Sequence, residues 1–417
     1  MTLKSDEILG FIKENDVKFI KLAFCDIKGE QKNISIMADK LEDALRFGIY
    51  FDSSNISGFE SESGELMLKP DLSTISILPW RPQQGRVVRF YCNIFNPDGT
   101  PFKHDTRALL MSAQSRCQDM GYQCSISTEA EFYIFKTDSL GNPTTSPYDE
   151  GGYSDMAPLD KGENIRREIC LNLLEMGIDP EKSHHESGPG QHEIDFKHSA
   201  PLKAADNFLA FKSLVKAVCG RNGVYASFLP KPLKNKSGSG LHINLSLNKL
   251  DEKNILAENE KLDTVTKSFI AGVLKHIVEI TAFLNPLSNS YQRLGKFEAP
   301  SVVDWAYGSR SALIRIPAAF GDKKRIEIRS ADCAINPYLA LTLIINAGLD
   351  GIKNNLELNE NSYKKSRLPI SLKEAVLAAQ SSTYIDSIIG KETKQRYLSA
   401  IIDQAKKKSF FEMFKII

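Results

Sequence analysis

The sequence lacks the cysteine spacing of a zinc site or a disulfide framework. Its seven cysteines are odd in number, and no two of them form a Cys-x-x-Cys pair, the spacing that structural zinc sites and redox-active pairs use. We therefore expect free thiols, most of them buried. Thiol chemistry is not indicated.

Long apolar runs are also missing. No stretch reaches the ~18 consecutive apolar residues that a membrane-spanning helix needs. The first residues, Met-Thr-Leu-Lys-Ser-Asp-Glu, lack the apolar segment of a signal peptide. The sequence predicts a cytoplasmic protein with no membrane association.

Neither sign of charge is in excess. Lys and Arg number 53 against 52 Asp and Glu, so the whole molecule offers no field that would attract nucleic acid. We expect no nucleic-acid partner. With 417 residues, 42% of them hydrophobic, the chain can bury a large core, and its length favours two or three domains.

The first hundred residues alternate short helices and strands. Helices are predicted at 5–15 and from the capping pair Asp39-x-x-Glu42 to Gly48, and strands at 17–25, 31–36, 74–78 and 86–95. The turn cluster Pro97-Asp98-Gly99-Thr100-Pro101 predicts a boundary just after it. We expect a small α+β domain at 1–103 and a second domain at 104–417.

Beyond this boundary, helical patterns alternate with strands that carry polar side chains. The helices are predicted at 107–120, 164–176, 205–219, 262–282 and 337–353, and again from the capping pair Ser371-x-x-Glu374 to the end. Strands interleaved with covering helices indicate one large α/β domain with a curved or barrel-like sheet.

Four strand-like stretches place acidic residues or histidine at alternate positions, at 128–135, 184–196, 238–247 and 325–329. Alternate residues of a strand share a face. If these faces converge, they bring together five carboxylates and one imidazole, which are Glu129, Glu131, Glu186, Glu193, His242 and Glu327. Such a cluster stays ionised only beside cations. The sequence therefore predicts a metal-dependent enzyme.

The donor set indicates which metals. Carboxylate oxygens with one imidazole and no thiolate suit Mg²⁺ or Mn²⁺ better than Zn²⁺. Two ions could be held, and paired ions bridge phosphate oxygens in phosphoryl transfer. We expect ATP as a substrate.

Five arginines fall within a short span of the sequence, at Arg293, Arg310, Arg315, Arg325 and Arg329. Arg315 stands between two isoleucines and cannot lose its charge, so it needs an anionic partner. Planar guanidinium groups bind carboxylate and phosphate in bidentate fashion. The cluster therefore predicts binding of a substrate carboxylate and of phosphate.

Each motif also has an ordinary structural interpretation. Glu129-x-Glu131 alone is typical of a solvated strand face, 325–329 could form an ion-pair ladder, and 237–240 could be a flexible loop. His242 alone would be structural, as we expect for His104, His198 and His276. The joint occurrence of the four patterns favours the metal site.

Several segments, in order along the chain, resemble the glutamine synthetases of the bacterial type I group. The resemblance covers essentially the whole chain. The segments include Phe-Asp-Ser-Ser-Asn-Ile-Ser-Gly-Phe (51–59), His-His-Glu-x-Gly-Pro-Gly-Gln-His-Glu-Ile-Asp (184–195), Gly-Ser-Gly-x-His (238–242), Asn-Pro-x-x-Asn-Ser-Tyr (285–291), Phe-Glu-Ala-Pro (297–300), Ser-Arg-Ser-Ala-x-Ile-Arg-Ile-Pro (309–317) and Arg-Ile-Glu-x-Arg (325–329).

The resemblance implies a fold and a reaction. The fold is α+β, with a β-grasp-like N-terminal domain and a catalytic domain with an open α/β barrel. The assembly is a homododecamer of two hexameric rings, with active sites between adjacent subunits. In the reaction, ATP phosphorylates the side-chain carboxylate of glutamate, and ammonia displaces phosphate from γ-glutamyl phosphate to give glutamine.

The resemblance also implies a role for each matching position. The metal nearer glutamate would be held by Glu131, Glu186 and Glu193, and the nucleotide-side metal by Glu129, His242 and Glu327. Glutamate would be bound by Gly238, Arg293 and Arg329, and phosphate by Arg310 and Arg315. Nucleotide contacts would come from Ser246, Arg315 and Arg325. Asp52 would gather ammonium, and Glu298 would close the site and take a proton.

Departures from the family pattern cluster around the amine and amino-acid pockets, at Ser53, Asn55, Ser237, Asn244 and the shortened stretch 293–298. They leave open a γ-glutamyl ligase that uses an alkylamine or polyamine instead of ammonia. A catalytically silent relative would be expected to lose metal ligands, and none is lost. A guanidino kinase would need a reactive cysteine in its own motif, which the sequence does not show.

Overall fold

The computed structural model describes residues 5–61, 63–81, 83–249, 262–319, 321–358 and 366–417. Its first hundred residues form a mixed sheet of strand order β2-β1-β6-β4-β3, with β5 beside β6. The elements are α1 (Ser5–Glu14), β1 (Val17–Cys25), β2 (Gln31–Met37), α2 (Leu41–Phe47), β3 (Ile49–Asp52), β4 (Glu65–Pro70), β5 (Ser76–Ile77) and β6 (Arg86–Phe95).

This sheet confirms most of the predicted elements and corrects one of them. Asp39 does not cap α2, because residues Ala38–Lys40 form a 3₁₀ turn and Lys40 precedes the helix without a side-chain hydrogen bond. Strands β3 and β4 were not predicted. They pair with each other, and β3 lies at the sheet edge with Asp52 as its last residue.

The rest of the described chain forms a curled sheet covered by helices. The strands are β7 (Tyr122–Thr137), β8 (Pro143–Pro147), β9 (Pro180–His185), β10 (Gln191–Phe196), β11 (Val224–Ser227), β12 (Leu241–Lys249), β13 (Trp305–Tyr307), β14 (Ile314–Ile316) and β15 (Ile326–Ile328). Their order is β13-β14-β15-β12-β7-β10-β9, and β8 and β11 also pair with β7.

The helices confirm the predicted pattern, with ends that differ by a few residues. They are α3 (Thr106–Asp119), α4 (Glu163–Glu175), α5 (Pro201–Arg221), α6 (Thr264–Leu284), α7 (Pro337–Lys353), α8 (Leu372–Ser381), α9 (Thr383–Ile389), α10 (Lys391–Lys407) and α11 (Phe410–Ile416). Ser371 caps α8 as predicted, since its hydroxyl accepts from the backbone N–H of Glu374. Among the described residues, no helix is long and apolar enough to cross a membrane.

The architecture is the predicted α+β class, with a small sheet at the N-terminus and a curled sheet under helices. The division at 103/104 stays a prediction. A continuous apolar core lies between the curled sheet and helices α3, α5, α6 and α7, whereas the first sheet has its own core against α1 and α2. The long strand β7 lies in the middle of the curled sheet and pairs with β12, β10, β8 and β11, so it sets the positions of these strands.

Helices α6 and α7 cross at unusually short range because glycines face each other there. A Cβ atom on Gly351 would lie 1.9 Å from the carbonyl oxygen of Ser268, and one on Gly272 would lie 2.1 Å from that of Ala347. Real Cβ atoms do not approach a backbone so closely, so any side chain at these positions must force the helices apart.

We therefore predict that Gly351→Ala lowers the free energy of unfolding by at least about 2 kcal/mol. Gly220 in α5 is the matched control, because a Cβ there meets nothing within 4 Å. Gly220→Ala should leave stability unchanged or raise it by up to about 1 kcal/mol. Urea unfolding followed by circular dichroism measures both, and equal midpoints for the two variants would contradict the close crossing.

Candidate active site

The four polar stretches lie on neighbouring strands. Stretch 128–135 is in β7, stretch 184–196 forms β9, β10 and their turn, stretch 238–247 leads into β12, and Glu327 is at the centre of β15. In the register, His242 pairs with Glu129, Glu193 with Glu131, and Asn244 with Glu327. The predicted convergence of the polar faces is therefore what the sheet produces.

One group of three ligand atoms lies on β7, β12 and β15. Glu129, His242 and Glu327 each offer an atom within 4.8 Å of the others. His242 Nδ1 lies 3.1 Å from Glu129 Oε2 and 3.7 Å from Glu327 Oε1. This is the set that the sequence predicts for the nucleotide-side metal, and its two carboxylates and one imidazole suit a hard divalent ion.

A second set continues the cluster toward β9 and β10. Glu131, Glu193 and His242 form one group of converging ligand atoms, and His184, Glu186 and Glu193 form another. Glu131 Oε2 accepts hydrogen bonds from Gln191 Nε2 and the Gly240 N–H, both at 2.9 Å. Glu186 is thus linked to Glu131 through Glu193, so all three acids predicted for the other metal belong to one continuous cluster.

His184 is a member that the sequence analysis did not single out. Its Nε2 lies 2.8 Å from Glu186 Oε1 and 3.8 Å from Glu193 Oε1. The signal was available, because His184 and Glu186 are two residues apart and alternate residues of an extended chain share a face.

Proton affinities in the cluster show the cost of bringing these acids together. Burial, followed by the negative charges of Asp195 and Glu131, raises the pKa of Glu193 well above its ordinary value. Burial likewise raises the pKa of Glu131. The pKa of Glu129 is lowered to about 2, because hydrogen bonds from His242 and Asn244 outweigh the opposing effect of burial.

A buried pair, Asp149 and His185, holds the turn that carries Glu186. His185 Nε2 lies 2.9 Å from Asp149 Oδ1, and its Nδ1 lies 2.6 Å from the backbone oxygen of Glu186. Asp149 Oδ1 also accepts from the N–H of Gly190 at 2.8 Å. Both groups facing the ring are acceptors and so favour a protonated ring in which both nitrogens donate. Although burial opposes it, the hydrogen bonds with Asp149 and the Glu186 backbone raise the pKa of His185.

Two further buried residues, Asp160 and His192, complete a group with ligand atoms close to those of this pair. Arg166 Nη1 already lies 2.7 Å from Asp160 Oδ2 and 2.9 Å from His192 Nδ1. A guanidinium in that position supplies the positive charge, so we interpret this group as structural support for the turn. No sequence pattern indicated this group, since most of its members are distant along the chain.

The arginines predicted from the sequence lie around the same cluster. Arg315 Nη1 is 2.8 Å from Glu327 Oε2, and Arg329 Nη1 contacts Glu327 Oε1. Arg293 is buried and donates to the backbone oxygens of Ser330 at 2.9 Å and Arg329 at 3.1 Å.

Gly238 lies against Arg293 and leaves no space for a side chain. A Cβ atom on Gly238 would be 2.4 Å from the backbone oxygen of Pro230 and 2.9 Å from Arg293 Cγ. Only glycine fits here, so the backbone of this loop passes directly over the guanidinium stem.

A cavity of about 420 Å³ opens on the β7 and β12 side of the cluster. Its lining includes Glu129, Asn244, Ser246, Arg325 and His198. Arg325 Nε donates to Asn244 Oδ1 at 2.8 Å, and Asn244 Nδ2 donates to Glu129 Oε1 at 2.9 Å. His198, predicted from the sequence to be structural, lies on the cavity wall.

The two predicted catalytic acids, Glu298 and Asp52, lie in different parts of the fold. Glu298 Oε2 lies 3.8 Å from Arg310 Nη1 and 3.9 Å from Arg329 Nη2, on an exposed loop above the arginines. Asp52 lies in the N-terminal sheet, where its carboxylate accepts from the N–H and hydroxyl of Ser54 and from Asn55 Nδ2. The Ser54 hydroxyl and N–H lower the pKa of Asp52.

Family models match nearly the whole chain. Residues 103–409 match the glutamine synthetase catalytic domain, and residues 16–97 match the glutamine synthetase beta-Grasp domain. These two matches follow each other without overlap.

Curated relatives are similar along almost their entire length. A glutamine synthetase of Clostridium saccharobutylicum is 43% identical over 94% of this chain and 93% of that protein. One of Methanosarcina mazei is 44% identical, with 95% and 92% covered, and one of Staphylococcus aureus is 41% identical, with 96% and 94% covered.

Two solved structures, of two different proteins, share this fold. A GmaS/ADP complex superposes with a TM-score of 0.86 at 25% identity, covering 99% of this chain and 98% of that one. The Plasmodium falciparum glutamine synthetase gives a TM-score of 0.87 at 25% identity, covering 97% and 96%.

The raised pKa values of Glu193 and Glu131 generate a prediction about metal binding. A carboxyl group with a raised pKa keeps its proton below that pKa, whereas a metal ligand must be deprotonated. Binding of Mn²⁺ should therefore release protons and tighten as the pH rises. Titration calorimetry at pH 7 in two buffers of different ionisation enthalpy should give different heats, and equal heats would contradict the prediction.

Proposed function

The chain belongs to the glutamine synthetase family, and we propose that the carboxylate cluster between β7, β10, β12 and β15 is its catalytic centre. The enzyme forms glutamine from glutamate and ammonia at the expense of ATP, as the relatives named glutamine synthetase over more than nine-tenths of the chain support. The observation that carries the proposal for the site is the convergence of Glu129, His242 and Glu327.

The family uses divalent metals with ATP, and the donor set fits them. We propose Mg²⁺ or Mn²⁺, two or more per site, held by Glu129, His242 and Glu327 on one side and by Glu131, Glu186 and Glu193 on the other. Bound there, the ions would offset the charge of the phosphate oxygens during transfer. The raised pKa of Glu193 supports this assignment, because it comes from burial and then from neighbouring carboxylates, and a bound cation would stabilise the charged form against both.

ATP would enter the cavity beside Glu129, with Ser246 and Arg325 as polar contacts on its wall. Arg315 and Arg310 would stabilise the transferring phosphate. Arg315 pairs with Glu327. A guanidinium that contacts both this proposed metal ligand and the phosphate would fix the position of the phosphate relative to the metal. Planar guanidinium groups suit this task because they bind phosphate with two parallel hydrogen bonds.

Glutamate would be oriented by Gly238, Arg293 and Arg329. Arg329 contacts Glu327 and faces Glu298, so the arginine would place the substrate between the metal cluster and the loop above it. The side chain of Arg293 lies directly against the loop that carries Gly238. The γ-carboxylate of glutamate would attack the terminal phosphorus of ATP, giving γ-glutamyl phosphate and ADP.

The second half of the reaction needs ammonia instead of ammonium. Asp52 would gather ammonium, and Glu298 would accept a proton as ammonia attacks the acyl carbon and phosphate leaves. Asp52 lies in a sheet-edge strand at the N-terminus, which fits a site completed by an adjacent subunit. We therefore propose an assembly of two hexameric rings with intersubunit sites, and a cytoplasmic location.

The organic-amine alternative is not favoured by the named relatives. The direct comparison is ADP formation with ATP and glutamate while ammonium, methylamine, ethylamine or putrescine is varied. We expect the highest kcat/KM with ammonium, and Asp52→Asn should raise the KM for ammonium with little change in the KM for ATP. A much higher kcat/KM with an organic amine would overturn the ammonia assignment.

The metal assignment is tested separately with Glu327→Gln. The substitution keeps the size of the side chain and removes its charge, so it should reduce glutamine formation by roughly a hundredfold or more, the scale seen when one group that stabilises transition-state charge is lost. Glu168→Gln, on α4, is the control and should be fully active, because this carboxylate contacts Asn222 and Arg221 instead of the cluster. Near-normal activity of Glu327→Gln would contradict the assignment.

A further inference from the structure

Asp195 is an acidic residue of the cluster with no role in the proposed mechanism. It lies on β10 two residues after Glu193, so the two side chains share a face, and it pairs directly with Glu129 of the neighbouring strand β7. It also lines the cavity proposed for ATP. Asp195 therefore lies between the acids assigned to the two metals.

The regular pairing of β10 with β9 ends at Asp195. Asp195 pairs with Lys182 and Phe196 with Pro180, so Glu181 of β9 is left out, as in a β-bulge. Such bulges are common next to functional sites.

The Asp195 carboxylate is poorly satisfied by the protein. The residue is only 7% exposed, and within the described part of the chain its Oδ1 atom has no hydrogen-bond partner. Its Oδ2 atom lies 3.6 Å from Nζ of Lys182, a side chain that is 64% exposed. An exposed lysine at that distance contributes little, whereas a buried charge without a partner is costly.

The charges around Asp195 only partly stabilise it. Burial and the negative charge of Glu129 raise its pKa, whereas a hydrogen bond with Glu193 and the positive charges of Lys182 and His184 oppose that effect. Among its neighbours, Lys182 is the one cation within ion-pair distance in the described residues. A divalent cation would satisfy Oδ1, and oxygen donors are what Mg²⁺ and Mn²⁺ prefer.

We propose that Asp195 supplies a further oxygen ligand, directly or through one bound water, to a divalent cation that enters with the nucleotide beside Glu129. This inference rests on the proposed function of the cluster. It adds a residue that contacts the ATP-bound metal from the β10 side, opposite the His242 side.

The test is Mn²⁺ binding to the full-length protein with ADP present, followed through the paramagnetic resonance signal of free Mn²⁺. Asp195→Asn should weaken one class of bound Mn²⁺ by roughly tenfold, within the range for residues around a metal site. Glu181→Gln, a carboxylate on the rim of the same cavity, is the matched control and should bind Mn²⁺ as the unaltered protein does. Unchanged Mn²⁺ binding by Asp195→Asn would overturn the inference.

Lys182→Gln separates a metal ligand from a simple ion-pair partner. If Asp195 serves the cation, removing the lysine should leave Mn²⁺ affinity unchanged or improve it. If Asp195 only pairs with Lys182, Asp195→Asn and Lys182→Gln should change the affinity for Mn²⁺ to the same extent, and that result would overturn the inference.

Thermal unfolding gives an independent readout. Without metal, Asp195→Asn should melt at or above the temperature of the unaltered protein, because it removes an unsatisfied buried charge. With Mn²⁺ and ADP, its melting temperature should rise less than that of the unaltered protein. An equal rise would contradict the inference.

Glu327→Gln distinguishes failure of this inference from failure of the proposed function. If Glu327→Gln weakens Mn²⁺ binding and Asp195→Asn does not, the inference about Asp195 fails alone. If Glu327→Gln also leaves Mn²⁺ binding unchanged, the proposed metal centre itself fails, and the inference with it.

Discussion

Repulsion between carboxylates on adjacent strands is the constraint on which the site depends. The register of β7 with β10 and β12 places Glu131 opposite Glu193 and Glu129 opposite His242, with Glu327 on the next strand. Burial then raises proton affinity where no donor intervenes, as at Glu193. The cluster must bind protons or cations, and under the proposed function divalent ions would take that place.

The surrounding structure keeps this cluster in place by hydrogen bonds instead of apolar packing alone. Gln191 and Gly240 hold Glu131, Asn244 holds Glu129, and the Asp149–His185 pair holds the turn before Glu186. Each proposed ligand is thereby oriented by the protein itself, and partners of this kind strengthen metal binding where a metal is held. The arginines on the far side add positive charge where phosphate would develop negative charge.

Much of this could be predicted from the sequence because period-two patterns encode which residues share a strand face. Glu129 and Glu131, or Glu327 between isoleucines, are examples, and long helices such as α6 and α7 were evident from their apolar runs. What could not be predicted depended on contacts between distant segments. The Asp149–His185 pair, the partner of β3, and the use of a 3₁₀ turn instead of Asp39 as a cap are decided by tertiary packing, which local patterns do not record.

The proposed pair of metal sites is tested most directly by anomalous X-ray diffraction from crystals grown with Mn²⁺ and ADP. We expect one Mn²⁺ peak among Glu129, His242 and Glu327, and another among Glu131, Glu186 and Glu193. Well-ordered ADP with no Mn²⁺ peak at these residues would contradict the claim that paired cations hold the carboxylates together.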